Sequence, residues 1–515
     1  MNHNRGDLFM GFTSTWADFE TSIKEHKVIL YGLGTLLNYL FIRCNADIPI
    51  IAAIDNDVTK QGHTLSEFFD EVDLKEAKNI IVSPKFILKS FNPNDTVILI
   101  STLRHFEAIA KDLETMNYHR YFSILHLEYN YNEHMKSQGI KTEDNYVLKY
   151  AKKCADEFPI QNNKIIFGGM DRYPDHGKYI TDQLKSMNKN LDIVWISNTP
   201  SIDVPEGVRV IYEGKWKQYI YELETAKVWV YDMQIRTQPI KRPGQTYIQV
   251  KHWGSITLKR FYLNEEIKTY EEEVWKANGK MMDYIISGSE FDEETCRRGF
   301  NFHGQFLRFG SPRSDPLFNP DYYKKKIYKK FGLNNYDRIL MYAPTFRANS
   351  NQKSPQYEEL DFDTIIEALN QKWAGNWKIF LRYHPSVKVN RKDNQSNFVI
   401  DVSKYEYSQE LVAASDVMIS DYSSIMFEPA YILRPVFLYA PDKENYIKNE
   451  REFLIDYNSL PFPISMTNES LSEQIKNFNE VDYKIKVQKF LDKYGVHEDG
   501  HASERTAKFI MEILH

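Results

Sequence analysis

Short apolar runs alternate with longer amphipathic stretches along the chain, at a spacing that suits parallel α/β sheets. Lys27 to Tyr31 and Ile50 to Ile54 are runs of β-forming residues, and Asn79 to Val82 and Thr96 to Ile100 continue the series. The stretch from Asn132 to Asn163 is polar and charged, which predicts a helical linker. A second series follows at Lys164 to Phe167, Leu191 to Ser197, Val208 to Tyr212, Val228 to Tyr231, Tyr247 to Val250 and Tyr284 to Ser287, with an amphipathic helix closing near Leu184. A third comprises Arg338 to Tyr342, Lys378 to Tyr383, Phe398 to Val402, Val417 to Ile419 and Val436 to Leu438. The expected fold class is α/β. The expected divisions are a small Rossmann-like domain over 1–131, a helical linker over 132–163, and two lobes over 164–320 and 321–515.

Composition narrows the picture. A chain of 515 residues is too long for one core and suits about three domains. The net charge of −6 argues against a nucleic-acid partner. Aromatic residues reach 14%, which fits core packing first and a groove that stacks bases or sugars second. The cluster Lys324-Lys325-Lys326 reads as a solvated helix face, with contact to an anionic inner-membrane surface as the other reading. Cys44, Cys154 and Cys296 are odd in number and far apart, so neither a disulfide framework nor a zinc site is expected. The first ten residues lack a signal-peptide pattern, and no run of roughly 18 apolar residues occurs. A cytoplasmic protein is expected, with peripheral contact to the plasma membrane compatible with the same features.

Several strand ends carry groups suited to anions. Ser423 and Ser424 follow the run Val417 to Ile419, where hydroxyls and free N–H groups at a helix start form an anion site, or a plain N-cap. Thr345 and Arg347 end another strand, and His384 sits before a proline that holds it extended. Convergence of these three strand ends on one phosphate-binding cleft is the expectation. Arg313, in a turn between the lobes, reads as a phosphate cation or one half of an ion pair. His252 follows Tyr247 to Val250 and is the first candidate for a general base, with His176 as the alternative. In the first region Gly32 and Gly34, with Asp55 or Asp57 about twenty residues on, suggest either a nucleotide-binding turn or a structural one. The third glycine of the dinucleotide pattern is replaced by Leu37.

The segments GSPRSD at 310–315, YAPTFR at 342–347, LRYHP at 381–385 and SDYSSIMFEPAYILRPVFLY at 420–439 resemble the CDP-glycerol glycerophosphotransferases of teichoic-acid synthesis and their capsule-polymerase relatives. FLIDYNSLPFPI at 453–464 and EDGHASER at 498–505 add weaker support. The resemblance covers roughly residues 160–515. It implies a GT-B-like pair of lobes and a donor such as CDP-glycerol or CDP-ribitol in the C-terminal one. It implies attack of an acceptor hydroxyl on the β-phosphate with release of CMP, and a glycan or lipid-linked polymer as acceptor. It implies a catalytic role for His384, which matches the histidine of the family's HP motif, and places Ser423, Ser424, Thr345, Arg347 and Arg313 among the donor-binding positions, Glu428 at an acidic position beside a ribose hydroxyl, and Arg505 at a late basic position. No metal or other cofactor is implied.

One departure stands out. The family reads Trp-His-Gly where this chain has His252-Trp253-Gly254, so the order around the proposed base is inverted. Its LPGP segment reads Leu460-Pro461-Phe462-Pro463 here. Two other readings stay open: a nucleotide-sugar glycosyltransferase of capsule or O-antigen synthesis, and a non-catalytic partner in a capsule assembly complex.

Overall fold

The computed structural model describes residues 16–34, 37, 48–102, 106–124, 127, 146–169, 175–197, 202–235, 239–258, 270–345, 360–383, 397–444, 446 and 453–515. Arg347 and His384 lie outside the described residues. The chain divides into two compact units: Met1–Arg172 with Asp192–Lys227 and Thr237–Gln245, and Tyr173–Leu191 with Val228–Arg236 and Thr246–His515.

In the first unit, β1 (Lys27–Tyr31), β2 (Ile50–Ile54), β3 (Val82–Ser83), β4 (Thr96–Ile100) and β5 (Tyr121–Ser123) form a parallel sheet in the order β3-β2-β1-β4-β5. The middle strands β1, β2 and β4 are almost wholly apolar, as strands covered on both faces are. Val28 and Leu30 join one buried cluster with Val97 and Leu99, while Ile29 and Tyr31 join another with Ile98 and Ile100. That is the two-residue alternation of a pleated strand. The run expected at Asn79 to Val82 is mostly not strand: Lys75–Asn79 is a 3-10 turn and Ile81 is exposed, so only Val82 enters β3. The helix Tyr146–Glu157 follows, and β6 (Gln161–Gly168), β7 (Asp192–Ser197) and β8 (Val208–Tyr212) pair in parallel in that order.

The Gly32–Gly34 turn lies where this sheet's order reverses, between β1 and β4. Gly32 has φ +83°, a value glycine adopts without strain. The Leu33 amide donates to Asp55 Oδ2 at 2.8 Å, and the Gly34 amide donates to Ser101 Oγ at 3.1 Å. Asp55 also accepts from the Asp57 amide at 2.9 Å and pairs with Lys60 at 3.4 Å. The amides of this turn thus meet protein acceptors: Gly32 the Ile54 carbonyl, Leu33 the Asp55 carboxylate and Gly34 the Ser101 hydroxyl.

In the second unit, β9 (Ala226–Tyr231), β10 (Thr246–Gln249), β11 (Tyr284–Ile286) and β12 (Gln305–Leu307) run side by side in parallel, β9 belonging to it from Val228 onward. A further sheet contains β13 (Asp337–Ala343), β14 (Asn376–Leu381), β15 (Val399–Asp401), β16 (Val417–Ser420), β17 (Val436–Tyr439) and β18 (Ile464–Ser465). Its order is β15-β14-β13-β16-β17-β18, all parallel. Asp361 and Thr467 cap helices Phe362–Lys372 and Asn468–Lys476 by accepting amide hydrogens, and Gly332 at φ +67° closes helix Pro320–Phe331. No helix among the described residues is long and apolar enough to cross a membrane.

Candidate active site

The β15–β18 sheet reverses its order between β13 and β16. In open parallel sheets ligands bind beyond the strand carboxyl ends at such a switch point. Thr345 lies just past β13, and Asp421 to Ser424 lie just past β16. The two ends are tied together. The Thr345 amide donates to Asp421 Oδ1 at 2.9 Å, and its hydroxyl donates to the same oxygen at 2.5 Å. Ser420 Oγ donates to the Ala343 carbonyl at 2.8 Å, and Tyr457 Oη donates to the Asp421 carbonyl at 2.8 Å.

The helix expected after Ser423 is short. A 3-10 turn, Ser424–Met426, leads into Phe427–Tyr431, and Leu433 at φ +57° turns the chain away. Ser423 caps that turn, its Oγ accepting from the Ile425 amide at 3.5 Å. So short an element adds little dipole, and hydroxyls and single N–H groups are what this end offers an anion. Ser424 Oγ accepts from the Leu258 amide at 3.1 Å, so one of its lone pairs is already engaged.

Arg313 is mostly buried, with its side chain 11% exposed. Nη1 pairs with Asp175 and Nη2 with Glu428, both at 2.9 Å, and Nη1 also donates to the His252 carbonyl at 3.0 Å. Burial pushes both carboxyls up, and the guanidinium pulls each back down. Glu428, expected beside a ribose hydroxyl, therefore faces a protein cation. Arg505 likewise meets protein groups: Nη1 donates to Asp499 Oδ2 at 2.8 Å and Nε to the Phe309 carbonyl at 3.1 Å.

The segment 251–258 carries His252. Lys251 has φ +61°, outside the extended region, so the alternation of β10 breaks one residue before the histidine. Lys251 Nζ is anchored on Asp292 at 2.5 Å. Trp253 turns inward, donating from Nε1 to Asp292 Oδ1 at 3.0 Å and stacking on Phe300, while His252 is exposed with its ring edge-on to Trp253. The inverted pair is thus accommodated by a backbone irregularity that keeps the histidine outward.

His176 occupies a different setting. It opens helix His176–Met187 behind Asp175, whose φ is +110°. It is fully buried, and Nε2 lies 3.1 Å from the Trp253 carbonyl. A carbonyl only accepts, so Nε2 carries the hydrogen, and Nδ1 has no partner among the described residues. Burial, then the charges of Arg313 and Lys251, hold its pKa well below the usual histidine range. His176 thus joins the His252 segment through the Trp253 carbonyl, from a buried position that disfavours its charged form.

Four residues that the sequence reading did not single out as site members belong to this constellation. Asp175 and Asp421 hold Arg313 and Thr345. Tyr431 Oη accepts from the amides of Ser255 and Ile256 at 3.1 and 3.2 Å. Glu498 accepts from Ser255 Oγ and from the Ser311 amide, and burial pushes its carboxyl up to about 7. Asp421, Tyr431 and Glu498 lie inside segments that carried the family resemblance, which was the signal available; Asp175 had only its place before a histidine.

Residues 150–512 match the model of the CDP-glycerol:poly(glycerophosphate) glycerophosphotransferase family. The teichoic acid poly(glycerol phosphate) polymerase of Staphylococcus epidermidis is 29% identical over 369 residues, covering 68% of this chain and 49% of that protein. The teichoic acid ribitol-phosphate primase of Bacillus spizizenii is 32% identical over 214 residues, covering 41% of this chain and 54% of that protein. The chain thus spans about half the length of these curated relatives. A solved structure of the wall teichoic acid polymerase TagF, an H548A variant, superposes with a TM-score of 0.62 at 28% identity, over 72% of this chain and 95% of that one. The parallel α/β architecture is accordingly GT-B-like, and the chain belongs to the CDP-glycerol:poly(glycerophosphate) glycerophosphotransferase family.

Proposed function

We propose that this chain transfers a phosphoalcohol, glycerol phosphate or ribitol phosphate, from its CDP-activated donor to a hydroxyl of a teichoic-acid-like or cell-surface polysaccharide acceptor. The observation that carries the reading is the β13/β16 switch point, where Thr345, Ser423 and Ser424 sit beside the segment bearing His252. The donor diphosphate lies at these hydroxyls, with Arg347 and His384 supplying further donors. The acceptor oxygen attacks the β-phosphorus, its proton passes to the His252 imidazole, and the bond to CMP breaks as the phosphodiester forms. In-line alignment and neutralised charge supply most of such catalysis. Arg313, with both forks on protein carboxylates, acts in this reading by holding the His252 segment. Arg505 braces the 309–315 turn in the same way.

The division into domains over 1–131, 164–320 and 321–515 joined by a linker over 132–163 is part of the proposal, as is work at the cytoplasmic face of the plasma membrane on a lipid-linked acceptor. The purified chain, incubated with a short acceptor and CDP-glycerol, CDP-ribitol, a UDP-sugar or CMP-sialic acid in turn, should consume a CDP-alcohol and add one phosphoalcohol mass to the acceptor. Consumption of a nucleotide sugar alone would select the glycosyltransferase reading. Turnover of none, with retained binding to another synthase, would select the assembly-partner reading.

A further inference from the structure

Residues 252–258 carry the exposed His252, yet they are held almost wholly by side chains from elsewhere in the second unit. At one end the His252 carbonyl accepts from Arg313, which Glu428 fixes. At the other, the Leu258 amide donates to Ser424 Oγ. Between them the consecutive amides of Ser255 and Ile256 both donate to one atom, Tyr431 Oη. Ser424, Glu428 and Tyr431 come from one stretch of eight residues, immediately past Ser423 at the switch point. Tyr431 is buried, and burial keeps its phenol protonated well above the usual tyrosine range, so the oxygen accepts as a neutral group.

The contact leaves little slack. A Cβ added at Gly254 would meet Tyr431 Oη at 3.2 Å and Ser314 Oγ at 3.7 Å. Ser255 and Ile256 are themselves buried, so no water replaces the phenol if it is lost. A buried oxygen that fixes two successive amides sets the path of the backbone and hence the place of the side chain three residues back.

We infer that Tyr431 is a positioning residue: through the Ser255 and Ile256 amides it holds the His252 segment in register with the donor hydroxyls of Ser423 and Ser424. The inference rests on the reading of His252 as the base. It gives the stretch 424–431 a second task beyond donor contact, since whatever displaces it on donor binding also displaces the base-bearing segment.

The test compares Tyr431→Phe, which keeps the ring and removes the oxygen, with Gly254→Ala, which keeps every polar group and presses on the contact. Each is measured for amide hydrogen exchange at Ser255 and Ile256, and for kcat and donor KM with the CDP-alcohol that the wild type consumes. In Tyr431→Phe both amides should exchange at least about tenfold faster, and kcat should fall about tenfold with donor KM within about twofold. Gly254→Ala should shift both in the same direction by less. Unchanged exchange, unchanged kcat, or a rise in KM that accounts for the whole loss would each overturn the inference. Should Tyr431→Phe not fold, Gly254→Ala with normal exchange or normal kcat overturns it alone. His252→Ala is measured in parallel: a wild-type rate there sinks the base reading, while the amide exchange of Tyr431→Phe still judges whether the phenol holds the segment.

Discussion

Two switch points in this molecule share a topology and differ in what fills them. In the first unit the order β3-β2-β1-β4-β5 reverses between β1 and β4, and in the second β15-β14-β13-β16-β17-β18 reverses between β13 and β16. At the first, Asp55 and Ser101 take the amides of Leu33 and Gly34, so the protein supplies its own anion. At the second, the acid Asp421 ties two strand ends together, while Ser423 and Ser424 carry hydroxyls beside the segment that bears His252. Topology marks where a ligand fits; the side chains at the turn decide whether a ligand or a carboxylate occupies it.

The sharpest way to break this comparison is to remove the chemistry at the second switch point. His252→Ala should lower kcat by roughly 10²–10⁴-fold with the fold retained, the span general-base removal usually shows. Ser423→Ala and His384→Ala should each cost at least roughly tenfold, about 1.4 kcal/mol of barrier. Initial rates with the consumed CDP-alcohol settle each one, and a wild-type rate in any pure variant removes that residue from the site.

Arg313→Ala tests the support beneath it. The change leaves Asp175 and Glu428 buried without their cation, which should cost about 3–5 kcal/mol in urea denaturation. Without the guanidinium both carboxyls rise further, so the folded state binds more protons than the unfolded one above the unfolded carboxylate range. The deficit should therefore be larger at pH 8 than at pH 5. A deficit that does not grow with pH would mean that the two acids do not depend on Arg313.

The first switch point should respond in the opposite sense. Asp55→Ala orphans the amides of Leu33 and Asp57 and should lower stability by about 1–3 kcal/mol, with kcat kept within about twofold. Tight CDP binding gained by this variant, or a kcat loss as large as that of Ser423→Ala, would erase the distinction between the two turns.

How far the sequence carried this picture depended on the range of the interactions. Strands such as Lys27–Tyr31 and Thr96–Ile100 were legible residue for residue, because a strand buried on both faces writes itself as an apolar run. Tyr121–Ser123, Gln305–Leu307 and Ile464–Ser465 escaped because two or three residues at a sheet edge leave no periodic signal. The donor-lobe motifs showed which strand ends matter. They did not show that Arg313 would find Asp175, 138 positions away, or that Ser424 would bind the Leu258 amide, 166 positions away. Such pairings are made by packing, and residue type sets only what each group can accept or donate. The helix expected to start at Ser423 and Ser424 does begin there, as a 3-10 turn running into Phe427–Tyr431, but it stays short because the left-handed turn at Leu433 turns the chain away.

The smallest expected effect separates the two histidines near the second switch point. His176 is buried and neutral, its pKa held low by burial and by neighbouring cations, whereas the unfolded chain takes up a proton near the ordinary histidine value. Below about pH 6.5 the unfolded state then binds more protons, so stability should fall with pH, by at most about 1.4 kcal/mol per unit for one such group. His176→Asn keeps a side-chain donor for the Trp253 carbonyl and removes the titration. The difference between wild type and variant, followed by denaturation from pH 5 to pH 7.5, should carry this slope, because the contributions of the remaining acids and bases cancel. Equal slopes would show that His176 does not stay neutral in the folded protein. The kinetic profile of the same variant completes the separation: if His252 is the base, the acidic limb of kcat survives in His176→Asn, and a limb that vanishes with His176 moves the base to the buried ring.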